Sequence, residues 1–262
     1  MEKIIYTKFS NNRAKYFGIQ TDIYEDESGR RIVKKKADCD EALPHVRAIE
    51  KHMGELSKVF SDSILEPNRC QLKGDILEIE YINGTSLEKL ICEKIKERDE
   101  KEIEHILKNY SDLMRKVYGK ELFKKSDEFC SVFGDVKFEQ KLSGGKNIDI
   151  DLIFSNIIIQ KDKWIVLDYE WTFDFLIPVD FVIYRAIYYL SLANPNLQKL
   201  MKENLYKICG INENLLPVLA EMEEGFQNYV KAGKKTYHDE MNELNLKQNI
   251  DISEKIYVKC QL

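Results

Sequence analysis

The chain has 262 residues, 44% of them hydrophobic, with a formal charge of −5 at neutral pH; this is enough for one large domain or two small lobes. Acids interspersed with lysines leave no global basic face for nucleic acid. The apolar run from Phe181 is broken by Arg185 and falls short of a membrane span, the N-terminus lacks a secretory core, and the six cysteines and four histidines form no C-x-x-C or H-E-x-x-H pattern, so a cytoplasmic protein without zinc or a disulfide framework is expected.

In chain order, "KIIYTKF" from Lys3, "YFGIQTDIY" from Tyr16 and "RRIVKKKA" from Arg30 are rich in Ile, Val, Tyr and Thr and predict three strands, with Gly29 placed for a turn of positive φ. Ala42, Val46, Ile49, Met53, Leu56 and Phe60 recur at helical spacing. "RCQLKGDILEIEYI" predicts two further strands around the turn Lys73-Gly74-Asp75. Five antiparallel strands and one helix make a small α+β lobe, residues 1–82. Residues 83–262 form the second lobe, helical from Asp99 to Glu121, irregular from Leu122 to Asn147, and helical again beyond Pro178 to a last segment near Tyr237–Ile250. "SGGK" at Ser143 lacks the spacing of a phosphate loop and is read as loop, and Asn83-Gly84-Thr85 as a turn.

Between the helical parts, Ile157–Gln160 and Trp164–Leu167 predict a hairpin. A turn centred on Asp162 would set Asn156 opposite Asp168, about 5 Å apart across the strands. An amide oxygen and a carboxylate at that separation suit Mg²⁺, which completes its shell with water and phosphate oxygens. Asp151, on the incoming loop, brings a third acid near the same point, free to act as a base. Asp and Asn also flank hairpins as ordinary turn and capping residues, so spacing alone does not decide.

The order of these parts, D-x-x-x-x-N from Asp151, a hairpin, and an Asp closing its second strand, resembles the catalytic loop and metal-binding Asp of the protein-kinase-like superfamily. The resemblance implies a two-lobed kinase-like fold using ATP and Mg²⁺, with Asp151 at the base position and Asn156 and Asp168 at the metal positions. "IEYINGTSL" from Ile79 looks like the strand and hinge between kinase lobes, which implies adenine contacts at the Glu80 carbonyl and the Ile82 amide. "RIVKKKA" matches the strand lysine that meets the phosphates and pairs with an acid on the next helix. Lys35 shares a strand face with Val33 and takes that position, with Lys34 or Lys36 as alternatives after a register slip. By helical angle, Glu50 is its best partner.

Asp149 stands where His is usual, Asp168-Tyr169-Glu170 replaces D-F-G, there is no room for a long activation segment, and the first hairpin has no G-x-G-x-x-G, leaving phosphate coverage to Ser10, Asn11, Asn12 or their backbone. These departures resemble the small-molecule branch, the aminoglycoside and choline kinase-like phosphotransferases. "NIDIDLIFSNIII" and "LDYEWTFDFLIPVDFVIYRA" also look like a bacterial subgroup associated with surface-polysaccharide assembly, which implies a small-molecule or glycan acceptor. The competing expectation is a pseudokinase, a nucleotide-binding or protein-interaction module without turnover. Glu170 and Asp174 are further candidates for the metal or acceptor site, Asp180 for bracing the catalytic loop, and the aromatics from Trp171 to Tyr189 for an acceptor pocket or, more simply, core packing.

Overall fold

The computed structural model describes residues 2–10 and 12–232; Asn11, the segment Tyr237–Ile250 and Cys260 lie outside them. Strands β1 (Lys3–Phe9), β2 (Ile19–Glu25) and β3 (Arg31–Ala37) are followed by helix α1 (Leu43–Val59), the short strand β4 (Leu65–Pro67), and then β5 (Cys70–Lys73) and β6 (Ile76–Glu80). Five of these strands form an antiparallel sheet in the order β1-β2-β3-β6-β5. Both of its tight turns use glycine at positive φ, Gly29 at 80° and Gly74 at 63°, a region open to glycine at little cost. Helix α1 carries Pro44 in its first turn, where the missing N–H is no loss, and turns Val46, Ile49 and Leu56 into the core.

The larger lobe begins with β7 (Thr85–Ser86), α2 (Leu87–Glu97) and α3 (Glu100–Tyr118), the two helices capped by the side chains of Ser86 and Asp99. The predicted irregular stretch holds strand β8 (Glu121–Leu122), the seven-residue helix α4 (Asp127–Phe133) and β9 (Ser143–Gly145). "SGGK" therefore begins as a strand between β8 and β14 (Ile177–Pro178) and not as a loop. A Cβ at Gly144 would lie 2.4 Å from the Ile177 carbonyl oxygen, and one at Gly145 2.7 Å from that of Tyr118, so close backbone approach is what these glycines serve. Next come β10 (Ile148–Asp149), the hairpin β11 (Ile157–Gln160) and β12 (Lys163–Val166), and β13 (Thr172–Phe173).

Helix α5 (Val179–Ala193) runs through the core; α6 (Leu197–Leu200) and α7 (Leu205–Ile208) are short, and α8 (Leu216–Lys231) packs on α4 and α5. The result is the two-lobed architecture expected, a small sheet-rich lobe with one helix and a larger helical lobe carrying a hairpin. A four-stranded sheet, β4-β12-β11-β7, links them, with β4 parallel to β12. No helix among the described residues is long and apolar enough to cross a membrane.

Candidate active site

The hairpin is real, but its register is one residue away from the expected one. Gln160 pairs with Lys163 and Ile157 with Val166, so the turn is the two-residue Lys161-Asp162, with Lys161 at φ 51°. Asn156 therefore faces Leu167, whose N–H donates to the Asn156 carbonyl at 2.7 Å, and not Asp168. Asp168 follows in the left-handed region at φ 52°, which Asp tolerates better than most residues and which turns the chain out of the strand direction.

The loop between β10 and β11 is held from several sides. Asp149, fully buried, accepts the Asp151 N–H through Oδ1 at 2.9 Å. Asn156 Nδ2 donates to the Asp151 carbonyl at 3.0 Å, and Tyr110 donates its hydroxyl to the Leu152 carbonyl at 2.6 Å. With Nδ2 so engaged, Asn156 keeps Oδ1 as an acceptor. Burial lifts the Asp149 carboxyl well above its ordinary value, with Asp151 adding to the rise; Oδ2 of Asp149 has no hydrogen-bond partner.

Asp151 Oδ1 accepts from Arg185 Nη2 at 2.7 Å, and Arg185 Nη1 donates to Glu223 Oε2 at 3.0 Å. Burial raises the Asp151 carboxyl to about 6, with Arg185 pulling it down and Asp168 pushing it up. The Arg185 guanidinium lies against the rings of Phe226, Tyr189 and Phe181. A lone cation inside an apolar helix signals such a network, because a buried arginine demands a buried acid; in the sequence Arg185 stands out only as an interruption of an apolar run. Asp180, the expected loop brace, instead accepts from Arg115 Nη2 at 2.9 Å, and Arg115 also binds the Cys209 carbonyl.

From the other lobe, Lys35 at the centre of β3 reaches across, its Nζ donating to Asp168 Oδ1 and lying 3.3 Å from Glu170 Oε2. Its neighbours point elsewhere: Lys34 pairs with Glu2 and Glu78, Lys36 with Asp22. Burial alone would lower the Lys35 ammonium, but Asp168 and Glu170 outweigh it and hold it above its ordinary value. Glu50 does not join this group. Its Oε1 accepts the Leu72 N–H at 2.9 Å, a donor that edge strand β5 leaves without a ladder partner.

The α1 face turned toward Glu170 carries His45 and His52, roughly 140–160° around the helix from Glu50 at about 100° per residue. Burial lowers both histidines, His45 to about 4. Besides Asp168, the carboxylate beside Lys35 is Glu170, two residues further on and a further candidate from the sequence; Asp174 is exposed. Arg13, between β1 and β2, ion-pairs with Glu170 Oε1; nothing in its sequence context announces that role.

Glu80 and Ile82 border a cavity of about 700 Å³ whose other walls include Asn68, Arg69 and the 160–163 turn. The Glu80 carbonyl already accepts from Asn68 Nδ2 at 3.2 Å. That cavity runs along the hairpin from the 160–163 turn to Ile165 and Pro67, and Lys35, Asp151, Asn156 and Asp168 are not among its lining residues. Among the described residues no group of three or more His, Cys, Asp or Glu is arranged to hold a metal. Asn156 Oδ1 and the half-exposed Asp168 carboxylate are hard oxygen donors, a set that fits Mg²⁺ when phosphate and water complete it.

No family model and no curated protein matches the chain. Among solved structures it is similar to macrolide 2′-phosphotransferase MphH from Brachybacterium faecium, at 9% identity and a TM-score of 0.44, over 94% of this chain and 93% of that one. It is similar also to a macrolide 2′-phosphotransferase type I (10% identity, TM-score 0.42, 87% of this chain and 85% of that one). A third is the streptomycin–ATP ternary complex of APH(2″)-IIa (11% identity, TM-score 0.40, 88% of this chain and 92% of that one). The chemistry of this cleft has to follow from its own side chains.

Proposed function

We propose that the chain is an ATP- and Mg²⁺-dependent phosphotransferase that acts on a hydroxyl of a small molecule or glycan. The observation that carries this reading is the meeting of Lys35, from the small lobe, with Asp168, from the hairpin of the large lobe. Residues 1–82 then supply the phosphate lysine, and residues 83–262 the metal ligands Asn156 and Asp168 and the base Asp151. Bound Mg²⁺–nucleotide supplies the transferable phosphoryl group and neutralises its charge. Lys35 holds phosphate oxygens, while Asn156 ties the hairpin to the Asp151 loop through its amide. Glu80 and Ile82 remain the proposed main-chain contacts for adenine.

Asp151 takes the acceptor proton, and Arg185 keeps its carboxylate oriented. A base at about 6 is close to the matching expected of general-base catalysis near neutral pH. Only the unprotonated form accepts the proton, so turnover should rise as pH passes about 6 and level off above it. On the acceptor side, a cavity of about 510 Å³ is lined by Tyr184, Tyr188, Tyr189, Glu223 and Gln227. Aromatic faces beside hydrogen-bonding acids suit a polyhydroxyl ligand, and Glu223 connects this wall to Asp151 through Arg185.

The pseudokinase reading has one observation in its favour: Arg13, Lys35, Glu170 and Asp168 already neutralise one another. Thermal shift with ATP and Mg²⁺ tests the nucleotide site, with stabilisation of wild type expected and its loss in Asp168→Ala. No shift at millimolar ATP sinks the kinase reading and leaves only a protein-interaction module. Given ATP binding, transfer abolished in Asp151→Asn supports the enzyme, and full activity there removes Asp151 as base.

A further inference from the structure

Glu170 is an unusual residue in this cleft because it serves two cations from separate parts of the small lobe. Its side chain is 3% exposed, Lys35 lies 3.3 Å from Oε2, and Arg13 pairs with Oε1. Burial alone would raise its carboxyl; Lys35 and Arg13 reverse that and hold it below its ordinary value. Arg13 also lies 5.4 Å from the centre of the Trp171 ring, a cation–π placement that fixes the guanidinium at the mouth of the cleft. Its side chain is 25% exposed against 8% for Lys35, so Arg13 forms the outer edge of the arrangement and Lys35 its floor.

We propose that Glu170 is the positioning residue for Lys35 and that, by holding Arg13 beside it, it builds a two-cation cradle for the polyphosphate of a nucleoside triphosphate. The proposal rests on the phosphotransferase reading and adds Arg13 and Glu170 to it. The donor inventory supports it: an ammonium has three N–H bonds, of which two meet Asp168 and Glu170, and a guanidinium has five, while Arg13 Nη1 pairs with Glu170 by charge without forming a hydrogen bond. Donors are left over on both cations. A glycine-rich loop would cover phosphates with main-chain N–H groups, each carrying only partial charge. This chain has no such loop, and a full positive charge on the β1–β2 connection takes over that task. Glu170 stays in place as the shared counter-ion that sets the spacing of the two cations, in the way that a charge-assisted bridge fixes geometry.

The test is the affinity for Mg²⁺–ATP, by calorimetry or thermal shift, of wild type, Arg13→Lys, Arg13→Gln, Glu170→Gln and Glu50→Gln. Arg13→Gln and Glu170→Gln should each weaken ATP at least ten-fold, Arg13→Lys should retain most of the affinity, and Glu50→Gln should match wild type. Because Arg13 is partly exposed on a loop, its variants keep the test decisive if Glu170→Gln fails to fold. ATP binding that needs Asp168 but is unchanged in Arg13→Gln overturns the cradle and leaves the phosphotransferase reading standing. A ten-fold loss in Glu50→Gln with none in Glu170→Gln returns the positioning role to α1 and also overturns it. No ATP binding by wild type removes the cradle and the phosphotransferase reading together.

Discussion

Replacing Arg185 with methionine should destabilise the fold, and by measurably more at pH 8 than at pH 5. Methionine keeps contact with the Phe181, Tyr189 and Phe226 rings that now surround the guanidinium, but it leaves the carboxylates of Asp151 and Glu223 without their shared cation. Removing one partner of a buried ion pair costs about 3–5 kcal/mol, or roughly 6–20 °C in Tm at about 2–4 °C per kcal/mol for a domain of this size. The pH dependence follows from Asp151. Arg185 pulls its carboxyl down against burial, so without Arg185 the folded variant holds the Asp151 proton to higher pH than wild type. Where the folded state binds more protons than the unfolded chain, stability falls as pH rises, by about 1.4 kcal/mol per pH unit per proton. Moving from pH 8 to pH 5 should therefore recover at least about 1 kcal/mol of the loss. Urea unfolding of wild type and variant at both pH values measures this directly. An equal loss at pH 5 and pH 8, or a loss below about 1 kcal/mol at pH 8, would refute the account of Arg185 as a buried counter-ion.

Two further outcomes concern stability alone. Asp149, fully buried with one oxygen unpartnered and its carboxyl raised well above the ordinary value, favours the protonated folded state, so its contribution worsens as pH rises. The melting temperature of Asp149→Asn relative to wild type should move in the variant's favour by a few degrees between pH 4 and pH 8, and a gap independent of pH would contradict this. A Cβ at Gly225 in α8 would lie 2.3 Å from the Phe133 carbonyl oxygen at the end of α4, so Gly225→Ala should cost about 1–3 kcal/mol by overpacking. Urea denaturation showing a gain near the ~1 kcal/mol helix preference of alanine would mean that the two helices are less tightly apposed than this.

Much of the architecture was legible because alternation, helical spacing and glycine turns agreed along the small lobe; strand face favoured Lys35 over its neighbours, but its contact with Asp168 emerges only in the fold. The hairpin register was not legible, because Lys161-Asp162 has none of the Asn-Gly chemistry that marks a two-residue turn, and assuming a three-residue turn shifts every pairing by one. Helical angle favours Glu50 as the partner of Lys35, but an angle on an isolated helix cannot reveal that edge strand β5 claims its carboxylate. Glu170 and Arg13 come together only through the packing of the β1–β2 connection on the segment after Asp168, a contact between residues 157 positions apart that no local pattern records. Arg185 was within reach: a cation in the middle of "FVIYRAIYYLSLA" implies buried acids, although not which ones.

The parallel pairing of β4 with β12 makes the hairpin a shared beam between the two lobes. Leu65, Glu66 and Pro67 are laced to Trp164, Ile165 and Val166, and the Asn68 N–H donates onward to the Val166 carbonyl. A jaw-like opening pivoting near residues 81–84 would have to shear that lacing. The two lobes are therefore expected to stay braced while ligands enter and leave the cleft.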